Sequence, residues 1–509
     1  MKIWEIVFFS IMERRSICMS FLFSLMLLCQ YVPSTQMPHE ENAYNNTIRS
    51  TSAENQWEFA LSINGDFSEI NNESVNSVVT DSLGNIFVIG TFQSENLGLG
   101  SFNLVNSNAG TTDIFLGKWN KSTSWEWATS FGGKGNDLIT DMEISGQSKL
   151  IISGAYYTEP EHIDTAYHFA SFGTSQKYGK GGLDVFVAEI SVDGVWNWVL
   201  DAGGDGNDIP SDLEINDSGL LSVSGHYSGS YCLFESINLS KSQIENKGFI
   251  ARITNSGFWV WANQIEGNGF SQVNSISDDS SNNLYITGDF KNNFSSPNGN
   301  LYQDYSSTQS SFIAQISTNG EWNWVIFLNS AYSISSSIDV LGSSLVIGGS
   351  FEGYLNIGVY NLTTSAGMDG YIAKLSTSST INWAIKVGDN GSNLDGPSNE
   401  QVKNIKFFQS NSIFVNGEFD HSILAGGNEL ATSGSTDIFY GEISGAGSWI
   451  KINNIFGVLD ESVYDIHISN QGDVYHAGSY NASSQPVVFG IHEIGNLGGR
   501  EEGLSLIHI

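Results

Sequence analysis

The sequence predicts an all-β fold, a seven-bladed β-propeller of four-stranded antiparallel blades. Three observations carry that expectation. An apolar run ends in Gly-x-aromatic seven times, at Gly90-Thr91-Phe92, Gly154-Ala155-Tyr156, Gly225-His226-Tyr227, Gly288-Asp289-Phe290, Gly349-Ser350-Phe351, Gly417-Glu418-Phe419 and Gly478-Ser479-Tyr480. Successive glycines lie 64, 71, 63, 61, 68 and 61 residues apart, and a period of that kind marks one supersecondary unit copied along the chain. Each unit holds four apolar segments of strand length separated by turn residues, and the repeats contain no amphipathic helical stretch.

The first segment of each unit begins at Trp57, Trp125, Trp196, Trp259, Trp322, Ile381 and Trp449. Its usual form is aromatic-x-aromatic-small, as in Trp259-Val260-Trp261-Ala262, so both aromatics point to one face of a strand. The second segment is short, as in Met142-Glu143-Ile144 or Ile466-His467-Ile468, and ends in hairpin turns such as Asp81-Ser82-Leu83-Gly84-Asn85. The third is the run before the repeated glycine, for example Ile86 to Ile89, which is apolar without alternation and so buried on both faces. The fourth reads Asp113-Ile114-Phe115-Leu116, Asp184 to Ala188, Gly248 to Ala251, Ser311 to Ala314, Gly370 to Ala373 and Asp437 to Tyr440, with a looser seventh copy at Val487 to Gly490. Small sheets of this kind cannot each bury two faces alone. Packing them face to face around an axis solves that problem. A linear solenoid is disfavoured because its coils repeat at roughly 20–30 residues, and a pair of sandwiches leaves the unit-by-unit aromatic pattern unexplained.

A strand glycine permits a bulge or the close approach of another backbone. The aromatic two residues later shares its face and can fill the gap between splaying sheets. The chain starts on a Trp57 strand and ends near a fourth-type strand at Val487 to Ile494, which suggests closure by pairing of the last strand with the first, leaving no free edge.

The string Trp125-Glu126-Trp127-Ala128, Phe131-Gly132-Gly133-Lys134-Gly135-Asn136-Asp137, Ile152-Ser153-Gly154 and Asp184-Val185-Phe186-Val187-Ala188 resembles the SBBP-type β-propeller repeat of secreted and surface prokaryotic proteins. The resemblance spans Trp57 to Ile494, and units two and three match best. It implies a propeller and an extracellular setting. It implies no common reaction and supplies no catalytic residue.

Residues 1–34 read as a secretory signal: Arg14-Arg15 is the basic region, Ile17 to Leu28 the apolar core, and Val32-Pro33-Ser34 the cleavage site, with Met12 or Met19 as alternative starts. The core falls short of the ~20 residues of a membrane span. Leu28 before Cys29 disfavours a lipoprotein box. Residues 35–56 are a polar, flexible lead-in and 57–495 the repeat domain. Residues 496–509 read as a truncated end with an adapter-derived tail, because Leu504-Ser505-Leu506-Ile507-His508-Ile509 is the translation of a transposon end used in sequencing libraries.

The chain carries 54 acidic and 20 basic residues, net −34, with no basic cluster in the repeats. This excludes nucleic acid, whose counterions a basic face must replace, and an anionic lipid surface. A membrane enters only through an anchor outside this sequence. Cys18 and Cys29 fall in the signal, so Cys232 is expected as a lone, buried, unreactive thiol.

The chemical candidates are acidic. Gly135-Asn136-Asp137 with Asp141 recurs as Gly206-Asn207-Asp208 with Asp212, echoed by Asp460 and Asp465. All are expected on one rim, where such groups suit calcium. The competing reading, that Asn and Asp build the turns, is favoured because the full alternating Asp loop is absent. His162, His168, His226, His421, His467 and His476 show no metal-ligand spacing. Ser191 to Trp196 is one residue short of a sialidase-type Asp-box, and no nucleophile elbow, phosphate loop or Cys-x-x-Cys occurs. Trp127, Trp198, Trp261, Trp324 and Trp383 recur at one strand position and read as core rather than as a sugar platform. Asn72 and Asn361 begin Asn-x-Ser/Thr triplets. No residue is assigned as catalytic, cofactor-binding or metal-binding, and no cofactor is expected beyond weak calcium. The expectation is an extracellular or cell-surface binding or structural module, without enzymatic activity, for a protein or glycan. The alternative is a secreted carbohydrate-active enzyme, a glycoside hydrolase or lyase, using the unit-two insertion with Glu159, Glu161, His162, Asp164 and His168.

Overall fold

The computed structural model describes residues 47–49, 57–63, 65, most of 72–494, and 501–508; the longer stretches outside that description are 159–168, 304–307, 389–397, 482–485 and 495–500. The signal segment 1–34 and the unit-two insertion residues Glu159, Glu161, His162, Asp164 and His168 lie outside the described residues. Among the described residues every named element is a β-strand and no α-helix occurs. No helix there is long and apolar enough to cross a membrane.

The strands pair into small antiparallel sheets, each built from consecutive hairpins. In the first sheet Glu73–Thr80, Ile86–Phe92, Asp113–Trp119 and Trp125–Phe131 pair in that order. The second holds Leu138–Ser145, Lys149–Tyr157, Leu183–Ser191 and Trp196–Gly204. The third to sixth repeat the plan from Asp208–Ile215, Ser271–Asp278, Asn329–Leu341 and Ser398–Phe407. The frame is therefore shifted by one strand from the sequence units: each Trp strand is the outer strand of the preceding sheet. That shift leaves the Trp57–Ile63 strand for the last sheet, where it lies beside Glu501–His508, then Val474–Asn481 and Glu461–Ile468.

The expected pairing of Trp57 with the Val487 segment is thus corrected. Val487–Phe489 and His492–Ile494 form a hairpin that pairs with Ile455 and Phe456 of the sixth sheet. Every copy except the fifth has such a separate accessory hairpin between its second and third strands, for example Asn96–Leu99 with Phe102–Val105 and Tyr231–Phe234 with Ile237–Ser240. In the fifth copy the hairpin is continuous with the long strands Ser344–Ile357 and Tyr360–Ser376. These segments are three or four residues long in the other copies, too short to give a period-two signal, so Val487 passed for a sheet strand. Within the lead-in, Thr47–Arg49 pairs with Phe59 to Leu61.

The accessory hairpins stitch consecutive sheets. Ser171 bridges Gly132, Leu233 pairs with Gly203, Ser295 bridges Glu266 and Leu424 bridges Gly388. The bridge between Leu97 and Gly65 joins the first copy to the end of the Trp57 strand in the last sheet. The core follows the same order, as layers between neighbouring sheets. Phe87, Ile89, Ile139 and Phe186 pack between the first and second, and Ile250 packs with Ile276 and Phe312 between the third and fourth. Leu61, Ile63 and Tyr475 of the last sheet pack with Val75, Val88 and Phe92 of the first.

The repeated glycine has a steric cause. The first strand of each sheet carries a bulge opposite it, as between Val75 and Ser77 or Pro210 and Asp212. The bulge drives a carbonyl oxygen over the glycine: a Cβ at Gly90 would lie 1.9 Å from Ser74 O, and at Gly154 2.2 Å from Leu138 O. The third-strand aromatic closes the other side, Phe115 at 2.7 Å and Phe186 at 2.7 Å. The aromatics two residues on, Phe92, Tyr156 and Tyr227, are fully buried between sheets.

The tryptophans are also spoken for. Trp196 packs edge-on against Phe131 at 4.9 Å and Trp259 against Phe234 at 4.8 Å. The second aromatic of the strand reaches the next sheet: Nε1 of Trp127, Trp261 and Trp383 donates to the carbonyls of Val192, Thr318 and Gly445 at 3.0, 2.9 and 3.0 Å. A ring held by two sheets cannot also serve as an open platform for a sugar.

Candidate functional site

The first strand of each sheet is its inner edge, and edge strands leave alternate N–H groups without a ladder partner. Aligned on the bulge, these strands put Ser77, Asp141, Asp212, Ser275, Ser337, Asn404 and Asp465 at one position, directly after the bulged residue. At five of these positions the side chain reaches the next sheet and accepts its unpaired N–H, whereas Ser77 Oγ donates to Asp465 and Asn404 Nδ2 donates to Asn416 Oδ1 of its own sheet. Asp141 Oδ2 accepts from Leu213 at 3.3 Å and Asp212 Oδ2 from Ile276 at 2.7 Å. Ser275 and Ser337 Oγ accept from Ile338 and Ile405, both at 3.2 Å. Asp465 Oδ2 accepts from Val78 N at 3.2 Å and Ser77 Oγ at 2.7 Å, so the clasp also joins the last sheet to the first.

Two residues further along stand Val79, Glu143, Glu214, Ser277, Asp339, Lys406 and His467. Here the repeat breaks down and the residues differ in kind. Asp339 Oδ2 accepts from Phe407 N at 2.6 Å, and His467 Nε2 accepts from Thr80 N at 3.3 Å with Thr80 Oγ1 at 3.0 Å. A ring nitrogen accepting there is unprotonated. Burial first, and then the Lys406 charge, push His467 down to about 4.

Both columns except Ser77 and Ser277, with Thr140, Ser211, Asn274, Lys403 and Tyr464, line one cavity of about 550 Å³ bounded by the first strands of every sheet. Its wall carries Asp141, Glu143, Asp212, Glu214, Asp339 and Asp465 against Lys403 and Lys406. Lys403 is already paired with Glu418 at 3.2 Å. Lys406 has no ion pair within 4 Å among the described residues. Burial opposes its charge, but Asp339, Glu214, Glu143 and Asp212 around it hold its ammonium well above the usual lysine range. Burial, and less strongly the other acids, raise the carboxyls: Glu143 is pushed up to about 7, and Glu214 well above its ordinary value. A wall with carboxyls of raised proton affinity, a lysine, serines and amides offers both donors and acceptors to a hydroxyl-rich guest.

The acidic candidates do not share one rim. Asp137 and Asp208 are fully buried at the starts of first strands. Asp137 accepts from Gly133 N at 2.6 Å and Tyr157 N at 2.9 Å, and Asp208 from Gly204 N at 2.6 Å, so they fix the glycine turns. Asp141, Asp212 and Asp465 instead line the cavity as clasps, because strand geometry carries them to the inner edge. Asp460 stays in the loop before its strand, within 3.5 Å of Asn481 Nδ2. Among the described residues no three acidic, histidine or cysteine groups come together as a metal ion requires.

The remaining candidates are structural. His476 is buried, with Nδ1 3.0 Å from Asn416 Nδ2, and His421 Nδ1 lies 2.9 Å from Asp420. Burial pushes the His226 imidazole down. Cys232 is buried in an accessory hairpin, and burial, then Asp208, push its thiol up, away from the reactive thiolate. Sequence reasoning missed Glu143, Glu214, Asp339 and Lys406. The available signal was the aligned column two residues past the bulge, which needs the bulge to be known.

No family model matches the chain, and no curated protein is similar to it. Among solved structures it is similar to a protein of unknown function from Dyadobacter fermentans DSM 18053, with a TM-score of 0.40, 9% identity, and 92% of this chain and 99% of that one covered. It is also similar to the extracellular domains 1–2 of Drosophila Semaphorin 1b, with a TM-score of 0.29, 9% identity, and 73% of this chain and 84% of that one covered. Both likenesses are too slight to carry an argument about this chain.

Proposed function

We propose that the chain is a seven-bladed β-propeller of the SBBP repeat type, secreted or displayed at a cell surface, that binds an extracellular glycan without turning it over. The propeller reading is supported by the relation of the last sheet to the first. Hairpin bridge, side-chain clasp and apolar layer all join them in the way they join the second sheet to the third. Cysteines at Ala60 and Leu506, which stand opposite each other in the ladder, are expected to form a disulfide within the folded monomer. Failure of that bridge, with the free thiols still reactive, would remove the ring. The extracellular setting rests on the signal-like sequence at 1–34.

The binding reading rests on one observation: the cavity-lining column past the bulge is where the repeat loses its symmetry, as Val79, Glu143, Glu214, Asp339, Lys406 and His467 show. Residues kept for packing recur, as the glycines and tryptophans do. A wall that differs from sheet to sheet can orient an asymmetric guest. The enzymatic alternative has Glu143 and Glu214, two carboxyls with raised proton affinity in one cavity. General acid–base chemistry needs such groups. Their place in the shell around Lys406 accounts for them without a reaction. The test is a glycan array with a hydrolysis screen on the same glycans. Retention on the array without released sugar, lost in Lys406→Ala, supports a binding module. Release of sugar that disappears in Glu143→Gln or Glu214→Gln establishes the enzyme instead.

A further inference from the structure

At three junctions an Asp beginning a third strand meets an acid beginning the first strand of the next sheet: Asp113 with Asp137, Asp184 with Asp208, and Asp437 with Glu461. All six side chains are buried. Each has one oxygen held by the backbone N–H of its own turn. At the last junction these bonds are Ser433 N to Asp437 Oδ2 at 3.0 Å and Gly457 N to Glu461 Oε2 at 2.9 Å.

The remaining oxygens distinguish the junctions. Asp113 and Asp137 use theirs, on Ser107 Oγ and Tyr157 N. At the second junction the free oxygens of Asp184 and Asp208 sit in the field of Lys180. At the last, Asp437 Oδ1 and Glu461 Oε1 are fully enclosed and make no hydrogen bond of good geometry; the two carboxyls lie within reach of each other, and the Gly457 N–H that holds Glu461 also faces Asp437. Gly457 makes room for this: a Cβ there would lie 2.2 Å from Glu461 Oε1. Two acceptors cannot bond each other, and two buried like charges in contact repel strongly. We infer that Asp437 and Glu461 share one proton, as a carboxylic acid donating to a carboxylate, and that this shared proton latches the sixth sheet to the seventh, the sheet completed by the two chain ends.

The surroundings supply no competing cation. The further charge acting on Glu461 is Asp460, which raises its proton affinity. Its ladder partner is Tyr480 and that of Asp437 is Phe419, while Thr436 O accepts from Glu461 N at 2.9 Å. Among the described residues no lysine, arginine or histidine forms an ion pair with either carboxyl. Burial, then Asp437, push Glu461 up to about 9; burial pushes Asp437 up to about 6. The folded state therefore binds a proton that the unfolded chain releases above about pH 4.5. The stabilisation from the latch is complete below that pH and is lost as pH rises through about 9.

The test is the melting temperature of the full chain from pH 5 to 10, with Glu461→Gln beside wild type. The glutamine amide donates permanently to Asp437 Oδ1 and its oxygen keeps the Gly457 bond. The variant is expected to match wild type at pH 5 and to melt higher by roughly 3 °C at pH 9. Asp437→Asn, which places the permanent donor on the other side, should flatten the curve in the same way and covers a failure of the first variant to fold. Curves for both variants parallel to wild type would overturn the latch. So would a rise in wild-type melting temperature with millimolar calcium at pH 9 that both variants lack, since the pair would then hold a cation.

Discussion

Alanine at Gly225 is expected to destabilise the protein by about 3 kcal/mol or more, the upper end of overpacking costs or beyond. The added Cβ would lie 2.2 Å from Ile209 O, 2.8 Å from Pro210 Cα and 2.8 Å from the Phe249 ring. Two of these are backbone atoms fixed by the bulge between Pro210 and Asp212, and cannot swing aside. Relief requires moving the first strand, which carries Asp212 and its bond to Ile276 N of the fourth sheet. The damage therefore spreads across a junction. Urea unfolding reads the effect as a lower midpoint, and an unfolding free energy within about 0.5 kcal/mol of wild type would refute the steric account of the repeated glycine.

Removing the Arg252 charge should be equally costly, about 3–5 kcal/mol, because it strands a buried carboxylate. Arg252 is fully buried, and its guanidinium grips Asp278 through two bonds, Nη1 to Oδ2 at 2.7 Å and Nη2 to Oδ1 at 3.1 Å. The same group donates to Ser222 Oγ and Asn282 O, both at 2.8 Å. It ties the third strand of the third sheet to the first strand of the fourth. Arg252→Leu leaves the buried Asp278 carboxyl with Asn216 Nδ2, at 3.4 Å, as its remaining side-chain donor. The double variant Arg252→Leu with Asp278→Leu should recover most of the loss, since replacing a whole buried pair by apolar groups is close to neutral. A double variant no better than the single would show that the other two bonds, not the ion pair, hold the junction.

The two effects differ in how far the sequence announces them. The glycine repeats in every copy, so its column is visible at once and its meaning, a close backbone approach, follows from the absence of a side chain. Arg252 occurs in one copy. Its partner lies 26 residues away and becomes relevant only when two sheets face each other. The cavity residues behave as Arg252 does. Asp141 and Asp212 looked like loop ligands because they follow a glycine turn, but the bulge rotates them onto the inner edge of a strand.

By itself the sequence determined the repeat, the strand content and the packing columns of glycine, aromatic and tryptophan. These are local or periodic properties: alternation fixes a face, and a recurring residue fixes a recurring environment. Only the tertiary structure decided which strand closes which sheet. It also decided that Trp57–Ile63 lies beside Glu501–His508, and that Lys406 stands among carboxyls from other sheets. Those facts depend on contacts between residues hundreds of positions apart, where neither propensity nor period carries information and the burial of edges and charges settles the arrangement.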